Sequence, residues 1–339
     1  MRMLCGGRSG CSLAAGEASE AASSQCGRMS DVPVNVDNFV RAETDRMFEA
    51  ILQDGGGVNQ WMHNRVPTPL DHQPVIRMNR DTLYSATVVD LSEGATLTLP
   101  DGGDRYVSAM IVNEDHYINE VFHKAGDHEL SVAKFDTPYV LVGVRILVDP
   151  ARDGDVATVN ALQNQIGLTA KSANEFRPPA YDQASLSATR TALLDLAKGL
   201  GGFDHAFGRK EDVNQVRHLI ASAAGWGGLP EQEAYYINVA PDLPVGHYEL
   251  TVRDVPVDGF WSISLYNAGG YLADNGQPVS VNNLSAEREP DGSVTVNFGG
   301  EPGTPNLLPI MDGWNYLVRL YRPRPEVLNG DWTFPPIKV

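Results

Sequence analysis

The densest ionisable run of the chain is IVNEDHYINEVFH, residues 111 to 123, which carries Glu114, Asp115, His116, Glu120 and His123, with His128 close behind. A histidine beside carboxylates can serve as general acid or base, because its proton affinity lies near neutral pH and an acidic neighbour raises it. His116 is therefore read as the acid or base, oriented by Asp115 or Asp81, with Asn113 and Tyr117 as polar contacts to a substrate. On a straight strand His116 and Glu120 share one face, and Asp115 and His123 the other. The His116 and Glu120 spacing faintly echoes half of a β-strand metal motif, but its second half is missing. The plainer reading is a solvated hairpin end, and whether a metal binds stays unknown.

A second cluster is NRDTLYS, residues 79 to 85, where Asn79, Arg80 and Asp81 stand just ahead of a strand that contains Tyr84. Three different polar types at a strand mouth suit the orientation of a small polar ligand. An Asn and Asp turn locked by Arg80 explains them equally well. Arg145 interrupts VLVGVRILV, otherwise a strand buried on both faces; an unpaired buried guanidinium would cost several kcal/mol, so a carboxylate or an anionic ligand is required. Asp81 and Asp115 are its expected partners, and beside a cavity it could clamp a substrate carboxylate.

In GFWSISLYN, Trp261, Ile263 and Leu265 form one face, and Phe260, Ser262, Ser264 and Tyr266 the other. Neither serine stands in Gly-x-Ser-x-Gly, so a nucleophile elbow is not supported. In the last strand Asn315, Arg319 and Tyr321 form the polar face, which makes Arg319 a second anion clamp. Trp226, in AGWGGLPEQEAYYINV, either packs over a cleft or marks the break between a helix and the next strand, with Gly225 as a left-handed cap.

These residues need elements to position them. Apolar spacing predicts an amphipathic helix in residues 35–57, capped at Asp37 and ended by three glycines. From Pro74 to Asp149 short runs of Val, Ile, Thr and Tyr alternate with turn clusters, which predicts strands. Three helices follow between Asp155 and Gly225, with Asp155, Asp182 and Asp212 as caps. YYINV, HYELTVRD, GFWSISLYN, SVTVNF and WNYLVRLYRP are strands again, with EPDGS as a hairpin turn. The expected fold is mainly β: two antiparallel β-sandwich or jelly-roll-like domains joined by a helical segment, with one N-terminal helix. The divisions are 1–34, a disordered or mis-called extension; 35–150, helix plus β domain; 151–230, helical connector; and 231–339, the C-terminal β domain.

Bulk properties narrow the partners. The chain of 339 residues has 43 acids against 26 bases, a net charge of −17, which repels polyphosphate backbones and anionic lipid. Nucleic acid and membrane partners are therefore not expected. A homo-oligomer is compatible with the sequence. Cys5, Cys11 and Cys26 all fall near the start, so the body offers no disulfide and no thiolate metal site. The first 28 residues are rich in Gly, Ala and Ser, and their glutamates interrupt what would be a signal core, which points to a start at Met29 and to a cytoplasmic location.

NRDTLYS resembles the signature of a bacterial domain of unknown function numbered 1254. GFWSISLYN, DGSVTVNF (291–298), NLLP (306–309) and WNYLVRLYRPRPEVLNGDWTFPP (314–336) are similar to its usual C-terminal companion, numbered 1214. The resemblance covers most of the chain from about residue 36, in a short form of the family, and implies a two-domain, mainly β fold with intervening helices. It departs at Leu307, where the commoner form has a tryptophan. It implies no reaction and no cofactor, and none is evident in the motifs. The residues themselves suggest an enzyme acting on a small polar organic molecule by acid–base chemistry, of a hydrolase or lyase kind, in a cleft between the β domains. The alternative is a noncatalytic module that binds carbohydrate or protein through its sheet faces.

Overall fold

The computed structural model describes residues 31–73 and 75–338. Residues 1–30, with the cysteines and the expected start at Met29, lie outside the described residues. Residues 31–34 were grouped with that extension, yet they belong to the fold: Val32 bridges Tyr181 and Val34 is buried. Helix α1 (Phe39–Gly55) follows, its N-cap falling on Asn38 rather than Asp37. It stops at Gly56, whose φ of 88° is left-handed and free of steric cost for glycine.

The next elements are β1 (Met62–His63), β2 (Thr82–Asp90), β3 (Ala95–Leu99), β4 (Val107–Asn113), β5 (Ile118–Phe122), β6 (Gly126–Leu130), α2 (Val132–Phe135) and β7 (Tyr139–Leu147). The connector then supplies α3 (Asp155–Gln163), β8 (Gly167–Ala170), α4 (Gln183–Ala197) and α5 (Gln215–Ala224). An antiparallel sheet of order β1-β2-β7-β4-β5 packs on a smaller sheet of order β6-β3-β8. Leu97, Val89, Ile111 and Val142 fill the space between them, each fully buried aliphatic side chain contributing about 1.5–3 kcal/mol.

The connector is not a purely helical insert. Its β8 pairs with β3, Thr169 opposite Thr96, so the N-terminal sandwich draws on residues beyond 150. Asp182 caps α4 as expected, but Asn214 caps α5 in place of Asp212, accepting from Val216 N and Arg217 N at 3.1 Å each. Asp155 begins α3, and its carboxylate accepts from Arg105 at 2.5 and 3.0 Å. Phe39, Leu186, Leu193 and Ile220 hold α1, α4 and α5 together.

The C-terminal domain contains β9 (Ala234–Val239), β10 (Tyr248–Val252), β11 (Trp261–Tyr266), β12 (Ser280–Asn282), β13 (Val294–Phe298), β14 (Leu307–Leu308), β15 (Asn315–Tyr321) and α6 (Pro325–Leu328). A sheet of order β12-β11-β15-β9 packs on one of order β10-β13-β14 around Ile263, Val318, Val296 and Phe298. All pairings are antiparallel except β13 with β14. EPDGS closes a turn through Glu289 N to Ser293 O at 2.8 Å, but it is no hairpin, because β12 pairs with β11 and β13 with β10.

Each large sheet thus spends one face on its own core. The second face of β2-β7-β4 turns toward the second face of β11-β15-β9, and Tyr106, Phe260 and Tyr321 cluster where the domains meet. Among the described residues, no helix is long and apolar enough to cross a membrane.

Candidate functional site

Strand register assembles the floor of a recess on the second face of the N-terminal sheet. Tyr84 lies opposite Arg145, and Arg145 lies opposite Ser108 on its other side. The next row is Ala86, Gly143 and Met110. Side chains two residues apart share a face, so both rows look toward the C-terminal domain. Tyr84, Gly143 and Arg145 sit in central strands and still keep accessible surface. A Cβ on Gly143 would make only ordinary contact, with Met110 at 3.9 Å, so a small side chain fits above this glycine. The Arg145 guanidinium lies 5.5 Å from the centre of the Tyr84 ring.

The opposite wall comes from β9, β11 and β15. Tyr236 and Ser262 flank Arg319 on either side in register. Tyr236 is 43% exposed, and yet burial is the largest influence raising the pKa of its hydroxyl. Tyr321 stacks on Phe260 with centroids 4.1 Å apart and tilts against Tyr106 at 5.4 Å.

The NRDTLYS segment stitches the two walls together. Asn79 donates from Nδ2 to the hydroxyls of Tyr84 and Tyr321, 3.0 Å each, while its Oδ1 accepts from Asp81 N at 2.9 Å. Asp81, 1% exposed, accepts from Ser262 Oγ at 2.6 Å and lies 3.8 Å from Arg319 Nη1. Its Oδ1 is buried without a hydrogen-bond partner. Arg319 donates to Ser264 Oγ and Tyr266 OH, both at 2.7 Å, and to the Arg77 carbonyl at 2.9 Å. Burial opposes its charge, but Tyr266 and Asp81 outweigh it and hold the guanidinium pKa above the usual value.

Arg145 finds neither expected partner, since Asp81 faces Arg319 and Asp115 faces Arg41. Among the described residues no carboxylate lies within ion-pair distance of Arg145; its contacts are the Gly227 carbonyl at 3.1 Å and the Met110 sulfur at 3.9 Å. Burial lowers its pKa, and Tyr84, Tyr236, Tyr106 and Tyr321 more than offset this. A tyrosine supplies countercharge only when ionised, however, and burial raises Tyr106, Tyr236 and Tyr321. At neutral pH the guanidinium is therefore surrounded by ring faces and hydroxyl dipoles, with no carboxylate of the described residues in ion-pair contact.

His116 does not stand in this recess, which overturns its expected pairing with Asp115 and Asp81. Residues 114–116 form a turn between β4 and β5, not a strand, and His116 has φ 63°. That turn sends Asp115 outward to Arg41, 2.6 Å away, and His116 inward to full burial. Its Nε2 accepts from Gly227 N at 2.9 Å, which leaves Nδ1 to donate to Ser222 Oγ at 3.0 Å. Burial, then His218, lowers its pKa well below the ordinary histidine value, so it is neutral with both nitrogens engaged. What it does is fix the Gly227 peptide, whose carbonyl carries Arg145.

Trp226 serves the same loop. Its ring stacks on His116 at 5.1 Å and its Nε1 donates to Thr44 Oγ1 at 3.1 Å, so it anchors the loop to α1 rather than covering the recess. The left-handed glycine is Gly227, φ 76°, and not Gly225, φ −154°. Asn113 holds the 114–117 turn through Asp115 N and Tyr117 N; Tyr117 stacks on His218; Arg80 donates to the Thr68 carbonyl. None of these three contacts a recess residue.

The structure therefore brings together Asn79, Asp81, Tyr84, Arg145, Ser262, Tyr266 and Arg319, and adds Tyr106, Ser108, Gly143 and Tyr236, which sequence reasoning missed. At one edge His123 Nε2 meets Glu233 Oε2 at 2.7 Å, clasping the two domains. A hollow of about 510 Å³ lies away from this chemistry beside α3, lined by Arg105, Leu162, Gln165 and Leu284. Among the described residues no group of three or more His, Cys, Asp and Glu is placed to hold a metal ion.

Residues 58–128 match a family model described as a protein of unknown function, DUF1254, and residues 240–325 match a second, DUF1214. No curated protein matches the chain. Among solved structures, the VPA0106 protein from Vibrio parahaemolyticus is similar with a TM-score of 0.66 at 16% identity, over 90% of this chain and 99% of that one. An uncharacterised protein from Burkholderia cenocepacia gives a TM-score of 0.49 at 16% identity, over 91% of each chain. The first likeness supports the fold. The recess draws side chains from both matched segments and from Arg145 and Tyr236 between them.

Proposed function

The chain belongs to the two-domain family of unknown function that carries the DUF1254 and DUF1214 segments in that order, and we propose that it acts on a small polar organic molecule held in the recess between its two β domains. The observation that carries this reading is the convergence of Asp81, Tyr84, Arg145, Tyr236 and Arg319 across the domain boundary, beside Gly143, which presents no side chain. The chemistry follows from the charge states. Tyrosines whose pKa burial has raised stay protonated at neutral pH and can donate hydrogen bonds to a substrate oxygen, and a carboxylate with one oxygen unpartnered is the acceptor. Asp81 is accordingly the base, positioned by Ser262 and Arg319, and a tyrosine hydroxyl is the acid; hydrolysis or proton abstraction suits the pair. The noncatalytic alternative calls for a shallow aromatic strip on a sheet face, whereas these tyrosines are recessed.

The test is a screen of purified protein against ester, amide, lactone and hydroxy-acid panels, repeated with Asp81→Asn and Gly143→Val. Valine suits a strand, and its side chain would project from residue 143 on the same face as Arg145, beside Met110. The expected result is turnover of a panel member, lost in both variants while circular dichroism is unchanged. Turnover that survives in Gly143→Val would remove the recess from the mechanism, and binding without turnover would favour the noncatalytic reading.

A further inference from the structure

We infer that the ligand of this recess is an organic monocarboxylate, its carboxylate seated on Arg145 and its body lying against the Tyr84 and Tyr236 rings. The inference rests on the recess being the ligand site and names what enters it.

Three observations carry it. Among the described residues Arg145 has a single oxygen acceptor, the Gly227 carbonyl, for the five N–H groups of its guanidinium. A half-buried guanidinium with so few protein acceptors favours an anionic ligand over water in the recess. Two further hydroxyls stand beside it, Ser108 Oγ on the residue directly across the strand pair and Tyr106 OH, close enough to interact with each other but with no other protein partner among the described residues, on residues 0% and 6% exposed. Two buried hydroxyls that have only each other, next to a guanidinium with no carboxylate in ion-pair distance, can turn their protons to an anion.

The third observation is the balance of charge. Arg145, Arg319 and the neighbouring Arg77 contribute three positive charges, against which Asp81 and, at the edge, Glu233 set two negative ones, so one negative charge on a ligand balances the recess. A phosphate dianion would overshoot. A planar guanidinium fork matches a carboxylate in a bidentate manner, and the tyrosine rings and Met110 favour a carbon body over an inorganic ion.

The experiment is calorimetric titration of the full chain with aliphatic and aromatic monocarboxylates, their matched carboxamides, and inorganic phosphate. Each is run on the wild type, Gly143→Val and Arg145→Lys. We expect carboxylates to bind about tenfold or more tighter than their amides, the worth of one charge-assisted hydrogen bond. Gly143→Val should abolish that binding, and Arg145→Lys, which keeps the charge but loses the fork, should weaken it. Amides binding as tightly as acids, with both blocked by Gly143→Val, would overturn the carboxylate inference and leave the recess intact. Phosphate binding more tightly than any carboxylate would overturn it too. Binding that Gly143→Val leaves unchanged would sink the recess reading itself. The wild-type comparison of acid with amide decides the matter even if Arg145→Lys fails to fold.

Discussion

Asp45 offers a quantitative test of the electrostatics in α1. It is 2% exposed; Oδ2 accepts from Tyr181 OH at 2.8 Å, and Oδ1 has no partner. Burial raises its pKa from 3.8 to about 6, with Tyr181 and Arg41 pulling the other way. The folded protein therefore holds this proton more firmly than the unfolded chain does. The contribution to stability is fully present below the unfolded pKa and is lost as pH rises through about 6. A difference of that size corresponds to about 3 kcal/mol, of which roughly half has gone by about pH 5. Asp45→Asn keeps an acceptor for Tyr181 and cannot ionise. The variant should exceed the wild type by about 1.5 kcal/mol at about pH 5 and by about 3 kcal/mol at about pH 8. Glu114, whose pKa burial also raises, is present in both proteins and largely cancels in the difference. Urea unfolding across this range, with the slope checked for constancy, measures the gap. A gap that stays constant with pH, or closes as pH rises, would refute the reasoning.

Two further substitutions probe the supports of the recess. His116→Ala removes the contacts to Ser222 and Gly227 and the Trp226 stack, and should cost about 2–4 kcal/mol in denaturant unfolding. If turnover is found, the shape of its pH profile should not change in this variant; loss of an inflection would return His116 to the chemistry. Arg105→Met strands the carboxylate of Asp155, which is 4% exposed, and should destabilise by about 3–5 kcal/mol at neutral pH. Arg105 helps hold the Asp155 pKa below the usual carboxylate range, so the stability this pair contributes is present above the unfolded pKa and fades as pH falls. A loss that grows on acidification would contradict the pairing.

Much of the scaffold could be read from alternation. GFWSISLYN and the last strand place their apolar and polar faces where the spacing put them, because a strand with one face on a core repeats every two residues. Arg145 was legible for the same reason, as the one charge in an apolar run. Its surroundings were not legible, since the row Tyr84, Arg145, Ser108 depends on which strands pair and in what register. Tyr236 lies in YYINV, a stretch with no chemical signature, and only its pairing beside Arg319 brings it to the recess. The reading of His116 failed because adjacency in sequence was taken for adjacency in space. A left-handed residue in a tight turn points Asp115 and His116 in opposite directions, and the ladder between β4 and β5 also shifts register at Ile111 and Val112. Gly143 carried no signal at all, because its importance lies in the side chain it lacks.

The central claim is that an accessible recess between the domains holds a guanidinium without a protein countercharge. An experimental electron-density map of the protein crystallised with a bound monocarboxylate tests this most directly. The account predicts carboxylate density between Arg145 and the hydroxyls of Tyr106 and Ser108, over Gly143, with Tyr236 on its far side. A map in which Arg145 pairs with a protein carboxylate, or Tyr236 fills the space above Gly143, would contradict it.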